Sequence, residues 1–511
     1  MNTTTYASCA GQPARRDFPT NPQKLLLLTP QQMAQADRAA MAAGIPGSRL
    51  MQRAGEAVAR VVARRWQPCR VAVLCGPGNN GGDGWIAAAW LARHGWSVTV
   101  YALGSPAQLR GDARWAASQW PGPVRQGVPL DVPAHDLVID ALFGAGLTRA
   151  LEGLAAQWLN AAAQAGMPIC AVDVPSGLDG ATGQTLGKVV PAAVTVTFAR
   201  AKPGHWLLPG RSLCGELVVA DIGIPDEVLS ATGVQTWENA PGLWWPHMPR
   251  AHLQGHKYTR GHATILAGAQ MTGAARLAAR AAQRVGAGLV TVAAPPAAWP
   301  AVAPALESIM VQRLARRTDW QALLQDARRN AWLIGPGAGV SQTVVDAALD
   351  VLAQHRHLVL DADALTASAS QARTLFAAIA ASHAQGGQTV LTPHDGEFAR
   401  LFSTEGSKLA RASRAAHQAA AVVVLKGADT VIAAPDGRIA INTNAPPSLA
   451  TAGSGDVLAG LITGLLAQGM PAFEAACAGV WLHGAAARAG GPCLVADDLP
   501  AWLADCLATW R

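Results

Sequence analysis

Charged side chains are scarce in this chain, and this scarcity limits the partners it can have. Of 511 residues only 14% are Asp, Glu, Lys or Arg, while 50% are hydrophobic, which favours compact folded domains over disorder. The 40 basic residues exceed the 33 acidic ones and give a net charge of +7, but they form no long Lys or Arg run. The sequence therefore predicts no nucleic-acid partner and no membrane partner.

Paired cysteines and membrane-spanning segments are also missing. The 8 cysteines include no C-x-x-C pair, and several lie in apolar, strand-like runs, so we expect reduced, buried thiols in a cytoplasmic protein. The longest uncharged run, 285–306, contains four prolines that cannot share one helix, which argues against a transmembrane segment. Near the N-terminus only 25–28 form an apolar run, too short for the core of a signal peptide.

The length of 511 residues is too great for one ordinary hydrophobic core. We expect a flexible tail at 1–23, a first domain at 24–237 and a second at 238–508. The boundary is placed near 238 because Trp and Pro cluster over 237–249 without a clear period, as is typical of a linker. In both parts apolar strand-like runs alternate with helical segments, so the predicted fold class is α/β.

One stretch of the first part, 76–84, reads Gly-Pro-Gly-Asn-Asn-Gly-Gly-Asp-Gly. Its glycines predict a turn, between a buried strand at 71–75 and a helix that begins at Trp85 and ends near Gly95. A strand, a glycine-rich turn and a helix together aim backbone N–H groups at an anion, usually a phosphate. The next predicted strand, 98–101, ends without the acid that holds the ribose in NAD-dependent dehydrogenases, which argues against that class.

Two further predicted strands of the first part end in acids. Asp140 leads into Gly144-Ala145-Gly146, and Asp173 leads into Pro175-Ser176-Gly177. In open parallel sheets ligands bind beyond the carboxyl ends of the strands. We therefore expect both acids and the glycine-rich turn to converge on one pocket.

The second part contains a different glycine-rich turn, Gly453-Ser454-Gly455-Asp456, at the start of a long apolar helix. Backbone N–H groups at a helix start can hold the negative charge of a transferring phosphoryl group. A carboxylate beside them can accept a proton from the attacking hydroxyl. No G-x-x-x-x-G-K-[ST] motif occurs, so this is not a P-loop nucleotide site.

Taken together, these motifs resemble two known enzyme families. The string 79–84, with Asp140, Asp173 and Ser176, resembles the NAD(P)H-hydrate epimerases. The stretches 392–397, 426–430 and 453–456 resemble the ADP/ATP-dependent NAD(P)H-hydrate dehydratases. The order of the two resembles the bifunctional NAD(P)H-hydrate repair enzymes of bacteria. The resemblance implies an N-terminal Rossmann-like three-layer domain and a C-terminal ribokinase-like α/β domain.

The resemblance also implies which residues form the two sites. In the first half the implied substrate contacts are Asn79, Asn80, Gly81, Gly82, Asp83, Gly144, Ala145, Gly146, Leu147, Thr148, Arg149, Ala150 and Asp173. Oxygen ligands for a potassium ion (K⁺) are implied at Asn80, Asp140 and Ser176. In the second half the implied substrate contacts are Ala274, Gly337, His394 and Asp456. The implied contacts of the adenine nucleotide, which would bind with magnesium (Mg²⁺), are Lys426, Gly427, Ala428, Asp429, Thr430 and Gly455.

The expected function is repair of damaged nicotinamide cofactors by a homo-oligomer. One half would epimerise the R and S forms of NAD(P)H hydrate, with Asp173 as the acid that helps hydroxide leave. The other would dehydrate the S form, with Asp456 as proton acceptor and ADP converted to AMP and phosphate. ADP against ATP stays open, although the two-domain order favours ADP. The alternative is a ribokinase-like small-molecule kinase fused to a non-catalytic Rossmann-like binding module.

Overall fold

Residues 21–250 and 252–508 are described by the structure, a computed structural model. They form two sheets, one of seven strands and one of ten. Most of the tail predicted at 1–23, and Cys9, lie outside the described residues. The predicted α/β class is confirmed for both halves of the chain.

The first sheet is parallel throughout and has helices on both faces. Its strands are β1 (Arg70–Cys75), β2 (Ser97–Ala102), β3 (Val124–Gln126), β4 (Leu137–Ala141), β5 (Ile169–Val172), β6 (Val194–Phe198) and β7 (Glu216–Ala220). Its helices are α1 (Pro30–Ala42), α2 (Gly47–Arg65), α3 (Asn79–Arg93), α4 (Gly111–Ser118), α5 (Gly153–Gln164), α6 (Gly210–Leu213) and α7 (Asp226–Ser230). The strand order β3-β2-β1-β4-β5-β6-β7 reverses between β1 and β4, the kind of switch point at which Rossmann-like sheets bind ligands.

The second sheet is parallel except around β16. Its strands are β8 (Thr236–Asn239), β9 (His262–Leu266), β10 (Leu289–Ala294), β11 (Met310–Arg313), β12 (Ala331–Ile334), β13 (His357–Leu360), β14 (Thr389–Leu391), β15 (Val422–Leu425), β16 (Val431–Ala433) and β17 (Ile439–Asn442). The helices are α8 (Pro241–Trp244), α9 (Thr272–Arg284), α10 (Trp299–Val302), α11 (Arg317–Gln325), α12 (Gln342–Ala353), α13 (Asp363–Ala367), α14 (Ala372–His383), α15 (Asp395–Leu401), α16 (Lys408–Ala419), α17 (Ser454–Ala467), α18 (Ala472–Gly490) and α19 (Leu499–Ala508). The strand order is β11-β10-β9-β12-β13-β14-β15-β16-β17-β8, so this sheet reverses between β9 and β12.

The strands are apolar because both faces of each sheet are covered. Successive residues of a strand face opposite sides, so Val71 and Val73 pack with α1, α2 and α3, while Ala72 and Leu74 pack with α5. In the second sheet Leu333 faces α9, α17 and α18, and Trp332 faces α12 and α14. The run 285–306 holds β10 and a short helix, and no helix among the described residues is long and apolar enough to cross a membrane.

Three sequence-based expectations differ from the structure. The helix predicted from Trp85 begins earlier, at Asn79. It includes the glycines of 79–84, because residues without a side chain allow the start of the helix to pack closely against its neighbours. The linker prediction for 237–249 was wrong at its start, since residues 237–239 belong to the strand Thr236–Asn239, which pairs in parallel with β17. The predicted boundary near 238 falls inside that strand and stays a prediction. The cysteines expected to be buried include Cys493, which is exposed, although all those described are free thiols.

Candidate active sites

The carboxyl ends of β1, β4 and β5 lie side by side, as the sequence predicted. Leu74 pairs with Asp140 and Asp140 with Ala171, and the N–H of Gly76 donates to the carbonyl of Ala141 at 3.0 Å. This alignment brings the glycine-rich stretch, Asp140 and the loop after β5 to the same edge of the sheet.

Helix α3 starts at this edge inside the glycine-rich stretch. A Cβ at Gly81 would lie 2.0 Å from the carbonyl oxygen of Gly76, so only glycine allows the helix to begin so close to the strand end. No side chain caps this helix start, which leaves its first N–H groups available to a ligand. Of the predicted contacts on α3, Asn79 is exposed, Asn80 half-buried, and Gly81, Gly82 and Asp83 are buried.

Asp140 and Ser176 form a closed pair behind the helix start. One Asp140 oxygen accepts from Ser176 Oγ at 2.7 Å, and the other accepts from the N–H of Ser176 at 2.9 Å. Burial raises the pKa of Asp140, and the hydrogen bonds from Ser176 oppose that rise. Ser176 Oγ also lies 3.2 Å from the carbonyl oxygen of Phe143, so several oxygens meet here.

Asp173 occupies the centre of the first site. Its Oδ2 accepts from the N–H of Ala145 at 2.9 Å, and its Oδ1 lies 2.6 Å from Lys202 Nζ. Burial would raise the pKa of Asp173, but the Lys202 ammonium and the N–H of Ala145 outweigh it and hold that pKa at about 2. Asp173 is therefore ionised at neutral pH, which favours a proton-accepting role over the proton-donating role expected from the sequence, and its part in the chemistry stays a prediction.

Three neighbours of Asp173 were missed from the sequence. Lys202 is only 2% exposed and donates also to Thr197 Oγ1 at 2.7 Å, while Thr197 donates to Asp173 at 3.0 Å. His205 Nδ1 accepts from the Lys202 N–H, so its Nε2 carries the proton donated to the Asp173 carbonyl at 2.8 Å. That bond holds Asp173 at a φ of 67°, a strained value for a residue with a side chain.

The predicted loop 144–150 touches this centre only at its start. A Cβ on Gly144 would lie 3.1 Å from both Asn80 Oδ1 and Asp173 Oδ2, so a bare backbone separates the two side chains. Ala145 is buried and Leu147 half-buried, whereas Gly146, Thr148, Arg149 and Ala150 are exposed.

A second acid of the first site has its pKa shifted in the direction opposite to that of Asp173. Burial first, and then the charges of Asp173 and Asp37, raise the pKa of Asp83 well above its ordinary value. Asp37 of α1, which sequence reasoning also missed, has its own pKa raised by burial. Acids whose pKa values are shifted in opposite directions are typical of sites with separate acid and base roles.

The oxygens implied for potassium suit a monovalent cation. Asp140 is buried among hydrogen-bond donors, and no cationic side chain contributes to its pKa. Among the described residues the buried Asn80 amide nitrogen has no hydrogen-bond partner; as a donor it would face an acceptor on a ligand, and only the Asn80 amide oxygen could face a cation. Among the described residues no group of three His, Cys, Asp or Glu could hold a metal, so neither this site nor any other offers an acidic cage to a multivalent ion.

The second site is built around the start of α17. Gly453 caps this helix with a φ of 86° and no side-chain hydrogen bond, so the first N–H groups of the helix are uncapped. Asp456 lies in the first turn, and burial, followed by the charge of Asp361, raises its pKa to about 6. A Cβ on Gly453 would lie 2.7 Å from Leu277, which places α9 beside this turn.

Lys426 is the cation that faces Asp456. Its Nζ lies 2.7 Å from Asp361 and 3.8 Å from Glu397, and burial, which would lower its pKa, is outweighed by these acids, which raise it. A Cβ on Gly455 would lie 3.7 Å from the same Nζ. The predicted residues Lys426, Gly455 and Asp456 are therefore brought together, along with Asp361, which the site prediction did not include.

The remaining predicted residues of the second site line its approaches. His394 is exposed and caps α15. Its Nδ1 accepts from the N–H of Gly396 at 2.9 Å, and the backbone N–H of His394 donates to the Glu397 carboxylate. Ala274 on α9 would lie 3.3 Å from a Cβ on Gly337, so these two are neighbours.

The predicted nucleotide turn, 426–430, is held by contacts within the turn and by contacts from other segments. Thr430 Oγ1 donates to the Gly427 carbonyl at 2.7 Å, and Gly427 and Ala428 are exposed. Asp429 is 6% exposed, and its two oxygens are taken by Lys408 and by the N–H of Leu208. A direct contact between the Asp429 carboxylate and a nucleotide does not fit this arrangement.

Magnesium is compatible with the charge of the second site. The charges of Asp361 and Asp363 raise the pKa of Asp456 there, and the charge of Lys426 lowers it. Mg²⁺ commonly binds through one or two carboxylates together with substrate phosphates. A site with surplus negative charge needs such a cation before it can admit a polyphosphate.

Comparison with known proteins covers both halves of the chain. A family model described as NAD(P)H-hydrate dehydratase matches residues 263–491, and one described as YjeF-related protein N-terminus matches residues 47–204. A solved ADP/ATP-dependent NAD(P)H-hydrate dehydratase of Bacillus subtilis, co-crystallised with ATP and Mg²⁺, shares 28% identity and covers 52% of this chain and 94% of its own, with a TM-score of 0.44.

Two curated relatives extend over nearly the whole chain. The bifunctional NAD(P)H-hydrate repair enzyme Nnr of Moorella thermoacetica is 38% identical and covers 93% of this chain and 95% of its own length. The enzyme of the same name from Coxiella burnetii is 34% identical and covers 92% of this chain and 96% of its own length. The chain therefore belongs to the family of bifunctional NAD(P)H-hydrate repair enzymes.

Proposed function

We propose that this chain repairs hydrated NADH and NADPH with two active sites. The first half interconverts the R and S epimers of the hydrate. The second, ribokinase-like half dehydrates the S epimer and converts ADP to AMP and phosphate. One observation carries this proposal. The chain belongs to this family, and each of its two sheets has a carboxylate, Asp173 or Asp456, beside a helix start that no side chain of the described residues caps.

Dehydration begins at the hydroxyl on ring carbon 6 of the hydrate. Asp456, with a pKa of about 6, is ionised at neutral pH and accepts the hydroxyl proton while the oxygen attacks the terminal phosphorus of ADP. AMP leaves, and the first N–H groups of α17 hold the charge on the transferring phosphoryl group. The ring nitrogen then expels phosphate from carbon 6, carbon 5 releases a proton, and the double bond of NAD(P)H is restored.

Epimerisation uses the same hydroxyl with an ionised acceptor. Asp173 takes the hydroxyl proton, carbon 6 becomes a carbonyl, and its bond to the ring nitrogen breaks. The nitrogen closes the ring on either face, and the proton returns to the oxygen. Epimerisation in ¹⁸O-water separates this route from loss and return of hydroxide. Ring opening keeps the original oxygen on carbon 6 while the epimers interconvert, whereas loss and return of hydroxide replaces it with ¹⁸O.

The ions and the nucleotide are assigned by chemistry. K⁺ would be held by Asp140, Ser176 and Asn80, where a monovalent charge steadies the loop after β4. Mg²⁺ would bind together with the phosphates of ADP beside Asp361 and Asp456. It would offset the negative charge of the phosphates and of the two carboxylates. The turn 426–430 and Gly455 would hold the nucleotide, and Ala274, Gly337 and His394 the hydrate. A cytoplasmic location and a homo-oligomer stay predictions.

The test is recovery of the absorbance of reduced nicotinamide from mixed R and S hydrates, with Mg²⁺, K⁺ and first ADP, then ATP. We expect both epimers to be recovered faster than spontaneous epimerisation allows. Asp173→Asn should stop recovery at the S fraction, and Asp456→Ala should abolish recovery and AMP release together. Recovery by the unaltered chain that stops at the S fraction would make the first half a binding module, and a phosphorylated product without recovery would identify a kinase.

A further inference from the structure

One segment of the first half, residues 202–211, reaches both candidate sites; we call it the bridging segment. It begins at Lys202, whose Nζ lies 2.6 Å from Asp173 in the first site. It continues to Leu208, whose N–H donates to Asp429 Oδ2 in the second half at 2.9 Å. It ends at Arg211, which also reaches across to the second half.

Arg211 makes two hydrogen bonds to backbone carbonyls of the second half. One guanidinium nitrogen donates to the carbonyl of Ala428 at 2.8 Å, and the other donates to the carbonyl of Thr443 at 2.7 Å. Ala428 lies at the exposed tip of the turn 426–430, and Thr443 directly follows β17. The fixed fork of one guanidinium therefore ties two neighbouring loops of the second half together.

The tip of the turn depends on these contacts from the first half. The base of the turn is anchored within the second half, since the N–H of Lys426 donates to the Pro393 carbonyl and the N–H of Asn442 donates to the Thr430 carbonyl, each at 2.9 Å. At the tip, Ala428 is held by Arg211, and Asp429 is held by Lys408 and Leu208. Two of these three contacts originate in the bridging segment.

The surroundings of Arg211 make its bonds directional and strong. The guanidinium is partly buried between the two halves, with Asp429 and Glu238 as its acidic neighbours and Arg488 as a neighbouring cation. Arg488 Nε is itself bound to the carbonyl of Asn444 at 2.6 Å and so does not replace Arg211. Hydrogen bonds from a charged donor in partly desolvated surroundings are stronger than bonds between neutral groups.

We propose that Arg211 is a positioning residue for the nucleotide site of the second half: from the first half, it holds the turn 426–430 in the shape that binds an adenine nucleoside diphosphate. This proposal rests on the proposed function of that turn. Arg211 touches the loop backbone and acts through it.

The experiment compares Arg211→Ala, Arg211→Lys and the matched control Arg53→Ala in the full chain. Arg53 also donates to a backbone carbonyl, that of Ile222 at 2.9 Å, but this bond stays within the first half. Dehydration is measured on the S epimer alone, which bypasses epimerisation, and gives KM for ADP, KM for the hydrate and kcat. The Kd for ADP without hydrate, the epimerisation rate and Tm are measured on the same samples.

We expect Arg211→Ala to raise both KM and Kd for ADP about tenfold, with KM for the hydrate and the epimerisation rate changed less than about twofold. Arg211→Lys, which cannot span both carbonyls, is expected to fall between the unaltered chain and Arg211→Ala. Arg53→Ala is expected to leave Kd for ADP unchanged.

Three results overturn the proposal: an unchanged Kd for ADP in Arg211→Ala, an equal loss in every parameter together with a lower Tm in both Arg211 variants, or no ADP binding by the unaltered chain. If the unaltered chain binds ADP without dehydrating the hydrate, the proposed function fails, and the ratio of the Kd values still decides the role of Arg211.

Discussion

Asp456 has a carboxyl whose pKa is raised to about 6 by burial and then by the charge of Asp361. A protonated Asp456 cannot accept the proton of the hydrate, so we expect the dehydration rate to fall as the pH drops below about 6. The measurement is the initial rate on the S epimer, with saturating ADP, across the acidic and neutral range.

A charge-removing variant provides the control for this limb. Asp363 raises the pKa of Asp456, so Asp363→Asn is expected to move the acidic limb to lower pH. Two results would contradict the assignment of Asp456 as the proton acceptor. One is a dehydration rate that stays level well below pH 6, and the other is an acidic limb at the same pH in Asp363→Asn and in the unaltered chain.

Lys202 is the residue that keeps Asp173 ionised, so its removal is expected to change the pH dependence of epimerisation. In Lys202→Met the largest contribution that opposes burial is lost and only the weaker one from the N–H of Ala145 remains beside that of His205, so the pKa of Asp173 is expected to rise. We expect epimerisation to slow roughly tenfold or more at neutral pH and to fall further as the pH is lowered. Lys202→Arg, which keeps the charge, is the comparison, and matching pH–rate profiles for Lys202→Met and the unaltered chain would exclude this role.

The same pair affects acid stability with a defined sign. The pKa of Asp173 in the folded chain, about 2, lies below its ordinary 3.8. The resulting stability is therefore present above about pH 4 and is lost as the pH falls toward about 2. Lys202→Met should lose this contribution at neutral pH as well.

The contact between α9 and α17 depends on glycine. A Cβ on Gly460 would lie 2.2 Å from the carbonyl oxygen of Ala278, so Gly460→Ala is expected to push the helices apart. Although alanine favours helix, we expect a net loss of about 1–3 kcal/mol in the free energy of unfolding. The loss is measured by denaturant unfolding. Gly104→Ala is the control, since nothing lies within 4 Å of its Cβ, and equal losses in both would contradict the packing argument.

The elements that sequence predicted well are those whose signal is local. The runs at β1, β4 and β5 are apolar because both sheet faces are covered, and each ends in a polar turn, so their site-facing ends could be located. The start of α1 has a similarly local signal, since Thr29 and Gln32 form its capping box beside Pro30.

What sequence missed depends on partners far away in the chain. Asp173 and Lys202 are 29 positions apart, and no local pattern marks the lysine. The start of α3 was placed too late because glycine propensity was weighed without the close approach to Gly76. Most of β8 was taken for linker because Trp237 was grouped with the Trp and Pro residues of 237–249, and its pairing with the distant β17 leaves no local signal.

At the scale of the whole molecule, β8 belongs to the second sheet although it directly follows the first half. Asn239 is fully buried and donates to Asn442 Oδ1 at 3.0 Å and to the Cys477 carbonyl at 2.9 Å. We expect a fragment of residues 232–508 to be more stable than one of residues 241–508, because the shorter one loses the pairing of β8 with β17 and the hydrogen bonds from Asn239.

Thermal unfolding of the two fragments checks this expectation. Both fragments lose the contacts that residues 241–508 make with the first half, so this loss is common to the two. We expect a Tm several degrees lower for 241–508, and equal Tm values would mean that β8 adds nothing to the second sheet.

The position of β8 also bears on how the chain folds while it is being synthesised. The first sheet has all of its strands once β7, which ends at Ala220, has left the ribosome, and β8 begins soon afterwards at Thr236. Its partner β17 arrives much later, because Asn239 and Asn442 are separated by 203 positions. Throughout that interval the nascent chain carries the strands of the first sheet and a strand β8 that lacks its partner β17, so closing the second sheet is among the last steps of folding.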